Sequence, residues 1–159
     1  MSVGLISVVR ETQLVFPIPR AIDVIHADLE QGISAIPDQS FDVALLSQTL
    51  QSIVNVGGVL DELLRVGRRG IVSFPNFAHA PMREMFVREG RLPKEEGLYA
   101  YEWHDTPNRR FPSILDFQEL CARSRIEIVE AVYVDSRSGE EVEDDPNLNA
   151  DIAVFVLKR

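Results

Sequence analysis

Short apolar runs that stop abruptly at polar residues constrain this chain most. "FDVALL" (41–46) runs into Ser47, Gln48 and Thr49, and "IVSF" (71–74) stops at Pro75. A continuous apolar run of this length is the pattern of a strand covered on both faces. Between the two, Val59, Leu60, Leu63 and Leu64 recur at helical spacing, and Gly67 is placed to close that helix. Upstream, Val3–Val9 and Ile22–His26 read as strands, separated by a segment in which Pro17 and Pro19 forbid a regular helix.

Downstream, Met82, Met85 and Phe86 predict a helix with Pro81 near its start and Gly90 at its end. Residues 91–112 are irregular, with Pro93, Gly97, Pro107 and Pro112. Ser113 and Asp116 form a capping signature for a helix that carries Ile114, Phe117, Leu120 and Cys121. Ile126–Val134 and Ile152–Leu157 are the last strands. The acidic stretch "SRSGEEVEDDPNLNA" between them reads as a solvated loop joining an antiparallel pair.

Helices that alternate with buried strands imply a mostly parallel α/β sheet with helices on both faces. The antiparallel last strand is expected as an addition at the edge. The 159 residues suit a single domain. In such sheets ligands sit beyond the carboxyl ends of the strands. That directs attention to Asp28, to Ser47–Gln51 and to Pro75–His79.

The remaining features narrow the function classes. A net charge of −9 weighs against binding to nucleic acid or anionic membranes. No apolar run reaches the roughly 20 residues of a membrane-spanning helix. The N-terminus lacks the basic and small-residue signals of a secretory leader. Cys121 is alone, so no disulfide forms within the chain, which fits a cytoplasmic protein. His26, His79 and His104 have no metal-ligand spacing, so no metal is expected. His104 and Asp105 are adjacent, and "HDTPN" reads as a structural turn rather than an acid–base pair.

"PDQSFDVALLSQTLQ", "VLDELLRVGRRGIVSFPNFAHAPMR" and "WHDTPN" followed by "DFQELC" resemble the methionine biosynthesis protein MetW family, from about Asp23 to Val134. The resemblance implies the fold of class I S-adenosylmethionine-dependent methyltransferases and a role in methionine synthesis alongside homoserine O-acyltransferase. It implies that Asp28 meets the cofactor's adenine, and that Ser47, Gln48 and Asn76 line the cofactor or substrate side of the cleft. The plain alternatives are a helix cap for Asp28, backbone bonding for Ser47, Gln48 and Thr49, and a turn for Asn76.

Two parts of the family pattern are missing. Members usually begin with a strand and a D-L-G-C-G-x-G loop, whereas the nine glycines here include no G-x-G pair. The second family strand ends in an acid that bonds the ribose, whereas the matching positions here hold Ile6 and Ser7. The chain is therefore either a shortened homologue or one whose start lies upstream. Its expected function is an accessory partner of homoserine O-acyltransferase with a degenerate S-adenosylmethionine site. The alternative is a small-molecule methyltransferase. Tyr99, Tyr101, Trp103 and Phe111 form an aromatic cluster suited either to docking that partner or to packing on the sheet edge. An open slot beside "FDVALL" would leave backbone groups unpaired, each at a cost of about 1–3 kcal/mol when buried. A monomer is therefore expected to close it by pairing Val3–Val9 or Ile22–His26 with Phe41–Leu46; the competing outcome is a dimer that supplies the strand.

Overall fold

The computed structural model describes residues 3–5, 29–91 and 103–159. Six strands form one sheet: β1 (Val3–Leu5), β2 (Phe41–Ser47), β3 (Gly67–Pro75), β4 (Glu127–Asp135), β5 (Glu140–Glu141) and β6 (Ile152–Lys158). Their spatial order is β1-β2-β3-β6-β4-β5. β1, β2 and β3 pair in parallel, whereas β6 runs antiparallel to both of its neighbours, β3 and β4. The helices are α1 (Val56–Val66), α2 (Ala80–Glu89), α3 (Ile114–Arg123) and the single turn α4 (Pro146–Asn149). The expected α/β class is the one observed.

The slot beside "FDVALL" is closed within the chain. Val3, Gly4 and Leu5 pair with Val43, Ala44 and Leu45. The expected strand Ile22–His26 lies outside the described residues.

β6 corrects the expectation of an edge strand. It lies between β3 and β4, with Ala153, Phe155 and Leu157 fully buried. "IAVFVL" is apolar on both faces, which suits an interior strand whose backbone groups pair on both sides. Closeness in sequence to β4 suggested an edge hairpin, but pairing with β3 satisfies the second edge of β6. The acidic connection is also more ordered than a solvated loop. It contains β5, which pairs with Val134 and Asp135, and the turn α4. Asp151 anchors it by accepting from the backbone N–H of Ser136 at 2.8 Å and from the Ser136 hydroxyl.

The core lies on one sheet face. Register places Ala44, Gly70 and Leu157 side by side, then Leu46, Val72 and Phe155, then Phe74 and Ala153. α1 lays Leu63 and Leu64 over Gly70. α3 sets Phe117 against Phe74 and Phe155, with ring centroids 4.9 and 4.8 Å apart. Val43, Leu45, Ile71, Val154 and Val156, on the opposite face, are only half-buried. α3 begins with the expected capping box: Ser113 accepts from the Asp116 backbone, and the Asp116 side chain accepts from the Ser113 backbone. α2 ends at Gly90 in the left-handed conformation, as expected of a helix-terminal glycine.

α1 passes into β3 with no intervening loop. Gly67 is both the helix C-cap and the first strand residue, paired with Phe41. The strand thus starts four residues before "IVSF", because Arg68 and Arg69 point to solvent and carry no apolar signal. A Cβ on Gly67 would lie 2.8 Å from the Ala44 Cβ and 2.9 Å from the Ala44 nitrogen. A Cβ on Gly70 would lie 2.9 Å from the Leu63 Cδ2. Gly67→Ala must therefore push β2 and β3 apart, and urea unfolding should show a loss of about 1–3 kcal/mol, the usual cost of overpacking. An unchanged midpoint would contradict the close approach.

Candidate functional site

The parallel strands β2 and β3 end side by side, so the residues after them meet. Ser47 and Ser73 are register partners, and their hydroxyl oxygens are 3.2 Å apart. The Gln48 backbone N–H donates to the Ser73 carbonyl at 2.9 Å and lies 3.2 Å from its hydroxyl. The Gln48 side-chain amide reaches the same hydroxyl at 3.5 Å. Gln48 has a φ of 48°, in the left-handed region that residues other than glycine seldom occupy. Thr49 donates its hydroxyl to the Ser47 carbonyl at 2.7 Å, a local turn bond.

Gln51 lies in the 3-10 turn Leu50–Ser52 and is only 7% exposed. Its amide nitrogen donates to the Gln48 carbonyl at 2.9 Å. Among the described residues, the buried Oε1 atoms of Gln48 and Gln51 have no hydrogen-bond partner. Native proteins satisfy most buried acceptors, so two orphans in one loop mark a place where a donor is wanted. Sequence reasoning named Ser47 and Gln48 but missed Ser73. The available signal was a single hydroxyl at the end of an otherwise apolar run.

Asn76 is fully buried, and its amide serves the backbone. Its nitrogen donates to the carbonyls of Asn147 and Ala150 at 3.1 and 2.8 Å, and its oxygen accepts from the Ala78 N–H at 3.1 Å. The Asn76 N–H donates to the Asp151 carbonyl. Both amide hydrogens are thus committed to tying the end of β3 to α4 and the start of β6.

Asp28 lies outside the described residues, but the segment after it is firmly held. Arg65 on α1 makes a two-pronged contact with Glu62, at 2.8 and 3.0 Å, and reaches Asp38 at 2.7 Å. It also donates to the carbonyls of Ile36 and Ile33. Glu62 accepts from the Ile33 N–H at 3.1 Å. Bonds from Arg65 and from the Ile33 backbone hold the Glu62 carboxyl below the usual range.

Trp103 and Phe111 are 74% and 54% exposed. The Phe111 ring meets that of Phe77 edge-on, with centroids 5.1 Å apart. Tyr99 and Tyr101 lie outside the described residues. The Arg109 and Arg110 N–H groups both donate to the Gln51 carbonyl, at 2.8 and 2.9 Å, which joins this segment to the loop after β2. The Cys121 thiol is buried and pushed up to about 11 by that burial, so it offers no thiolate. Among the described residues no cluster of histidine, cysteine or acidic side chains is placed to hold a metal.

Comparisons with known proteins agree with this architecture. A family model described as methionine biosynthesis protein MetW matches residues 8–157. A bifunctional methionine biosynthesis protein MetXA/MetW from Rhodopirellula baltica is 45% identical over 153 residues. That match covers 95% of this chain but 25% of the relative, so the chain spans about a quarter of that protein's length. Among solved structures, a methyltransferase from Thermotoga maritima, described as S-adenosylmethionine-dependent and a possible histamine N-methyltransferase, superposes with a TM-score of 0.58 at 18% identity. It covers 87% of this chain and 64% of its own. An S-adenosylmethionine-dependent methyltransferase from Mesorhizobium loti gives 0.57 at 16% identity, covering 89% and 72%. At these identities the structural likeness establishes the fold.

The Glu62–Arg65 clamp makes stability depend on pH. A carboxyl whose folded pKa is depressed adds stability above its unfolded value and loses it as pH falls through the folded value. Between about pH 6 and about pH 3 the urea midpoint of the wild type should fall more steeply than that of Glu62→Gln. Parallel profiles would show that the clamp adds nothing.

Proposed function

The chain belongs to the methionine biosynthesis protein MetW family, and from that premise we propose that it is a non-catalytic or weakly catalytic accessory partner of homoserine O-acyltransferase with a degenerate S-adenosylmethionine site. The observation that carries the partner is the relative from Rhodopirellula baltica, in which a MetXA unit and a MetW unit share one polypeptide. Joining two units keeps each at high effective concentration for the other. A protein that works beside a pathway enzyme has the same use for a stable contact.

The neighbourhood of β1 supports the degenerate site. Val3–Leu5 holds the place beside β2, and the residues that follow, Ile6 to Thr12, contain no glycine. A cofactor cradle made of closely approaching backbone N–H groups needs residues without a Cβ. Asp28, Ser47 and Gln48 remain as the candidate cofactor-side residues, and Asn76 acts behind them as a brace. With no glycine loop to hold the sulfonium in line with an acceptor, methyl transfer lacks its positioning element. The competing reading, a small-molecule methyltransferase that binds S-adenosylmethionine, draws on the fold and on the two orphan oxygens of Gln48 and Gln51. No metal enters either reading.

For docking we assign the aromatic face Tyr99, Tyr101, Trp103 and Phe111. Large exposed aromatics concentrate binding energy when a partner covers them. The setting is cytoplasmic, with no nucleic acid and no membrane as partner. No helix among the described residues is long and apolar enough to cross a membrane.

Immobilised homoserine O-acyltransferase should retain the wild-type chain, and Trp103→Ala should weaken capture by about 30-fold, the effect of losing an anchor of ~2 kcal/mol. Failure of the wild type to bind removes the partner. Equal capture of the variant moves the docking face elsewhere.

A further inference from the structure

One residue joins the loop after β2 to the segment that leads into α3. The side chain of Gln51 donates to the Gln48 carbonyl at 2.9 Å. Its main-chain carbonyl accepts from both Arg109 and Arg110, at 2.8 and 2.9 Å. Gln51 thus grips the loop with its side chain and the segment with its backbone. Two further links strengthen the junction. The Arg110 guanidinium donates to the Val54 carbonyl at 2.8 Å, and the Phe77 N–H donates to the Pro112 carbonyl at 3.0 Å.

The loop at the other end of this linkage is not fully satisfied. Gln48 holds a left-handed backbone, and the buried Oε1 atoms of Gln48 and Gln51 have no partner among the described residues. Backbone strain and orphaned acceptors both raise the energy of the observed arrangement, which brings an alternative arrangement within reach. A ligand that donates a hydrogen bond to either oxygen changes that balance. A bistable loop biased at one end and fastened at the other is the physical requirement for coupling two sites.

We infer that Gln51 is a coupling residue: rearrangement of the Gln48–Gln51 loop shifts Arg109–Phe111 and, along the chain, the segment back to Trp103, whose Trp103 and Phe111 rings are both exposed. The coupling rests on the hydrogen bonds above. Its consequence, that a partner on the aromatic face alters ligand affinity at the loop and the reverse, follows from reciprocity and rests on the docking role proposed for that face.

Trp103 is the one tryptophan of the chain, so intrinsic fluorescence reports on this segment alone. Residue-resolved amide exchange and Trp103 emission are compared in the wild type, Gln51→Leu and Gln48→Gly. In Gln51→Leu, which loses the bond to the Gln48 carbonyl, the Arg109 and Arg110 amides should exchange about fivefold faster or more, the factor one lost hydrogen bond carries. In Gln48→Gly, which removes the left-handed strain and one orphaned oxygen, they should exchange more slowly than in the wild type. Trp103 emission should shift with them. The Asp116 amide, held by Ser113 in the α3 cap at 3.1 Å, should keep its wild-type rate. Unchanged exchange at Arg109 and Arg110 overturns the coupling, as does an equal acceleration at Asp116, which would mean global loosening. If Gln51→Leu does not fold, Gln48→Gly decides alone. Capture by homoserine O-acyltransferase is measured separately: if the wild type is not captured, the docking role fails while the exchange result still decides the coupling.

Discussion

The close approach of α1 to β3 and β2, made possible by Gly67 and Gly70, is the contact on which the rest of the structure depends. β3 has a neighbour on each side, parallel β2 and antiparallel β6, and its buried face receives α1 and α3. With no loop between α1 and β3, the helix axis and the strand cannot be adjusted independently. The register of β2 against β3 then sets Ser47 opposite Ser73. From that pair follow the position of Gln48, the turn that carries Gln51 and the anchor for Arg109 and Arg110. A small separation of helix and sheet would propagate into each of these bonds, since packed interiors transmit strain rather than absorb it.

The polar residues at the carboxyl ends divide into two roles. Asn76 and Asp151 are buried and bonded to backbone, and they fasten β3, α4 and the start of β6 into one corner. Ser47, Gln48, Gln51 and Ser73 form the less satisfied group, with acceptors left over. The Glu62–Arg65 pair works at a distance from both. One guanidinium bonds three residues of the segment before β2, Ile33, Ile36 and Asp38, which suits the planar fork of arginine better than the point charge of lysine.

Element type was legible in the sequence wherever periodicity and capping agreed. "FDVALL", the Leu63–Leu64 stripe, the Ser113–Asp116 cap and the Gly90 terminus all lie where their residues pointed. So does the closure of the slot by Val3–Leu5, because unpaired backbone beside a buried strand is costly whatever the family. The place of β6 was not legible, since an apolar strand says that it is buried without saying between which partners. The first residues of β3 were hidden because outward-facing arginines interrupt the apolar signal. At the site, the strand-end positions of Ser47 and Gln48 were visible in one dimension. Ser73, the Gln51 link to Arg110 and the reach of Arg65 to Asp38 join residues 25 to 59 positions apart, and no local pattern carries them. Asn76 shows the limit of the sequence: a polar residue after a strand end can face the ligand side or bond the backbone of the corner, and its hydrogen bonds to Asn147, Ala150 and Ala78 are visible only in the structure.

The chain has the fold of S-adenosylmethionine-dependent methyltransferases, while the strand beside β2 leads into residues 6–12, which contain no glycine. On the function proposed above, the chain keeps the scaffold and the strand-end residues Ser47 and Gln48 without a backbone cradle for S-adenosylmethionine. Calorimetric titration of the chain with S-adenosylmethionine tests it most directly. Losing several cofactor hydrogen bonds at about 1 kcal/mol each lowers affinity by powers of ten, so no saturable heat is expected at micromolar cofactor. Saturable binding in that range would contradict it.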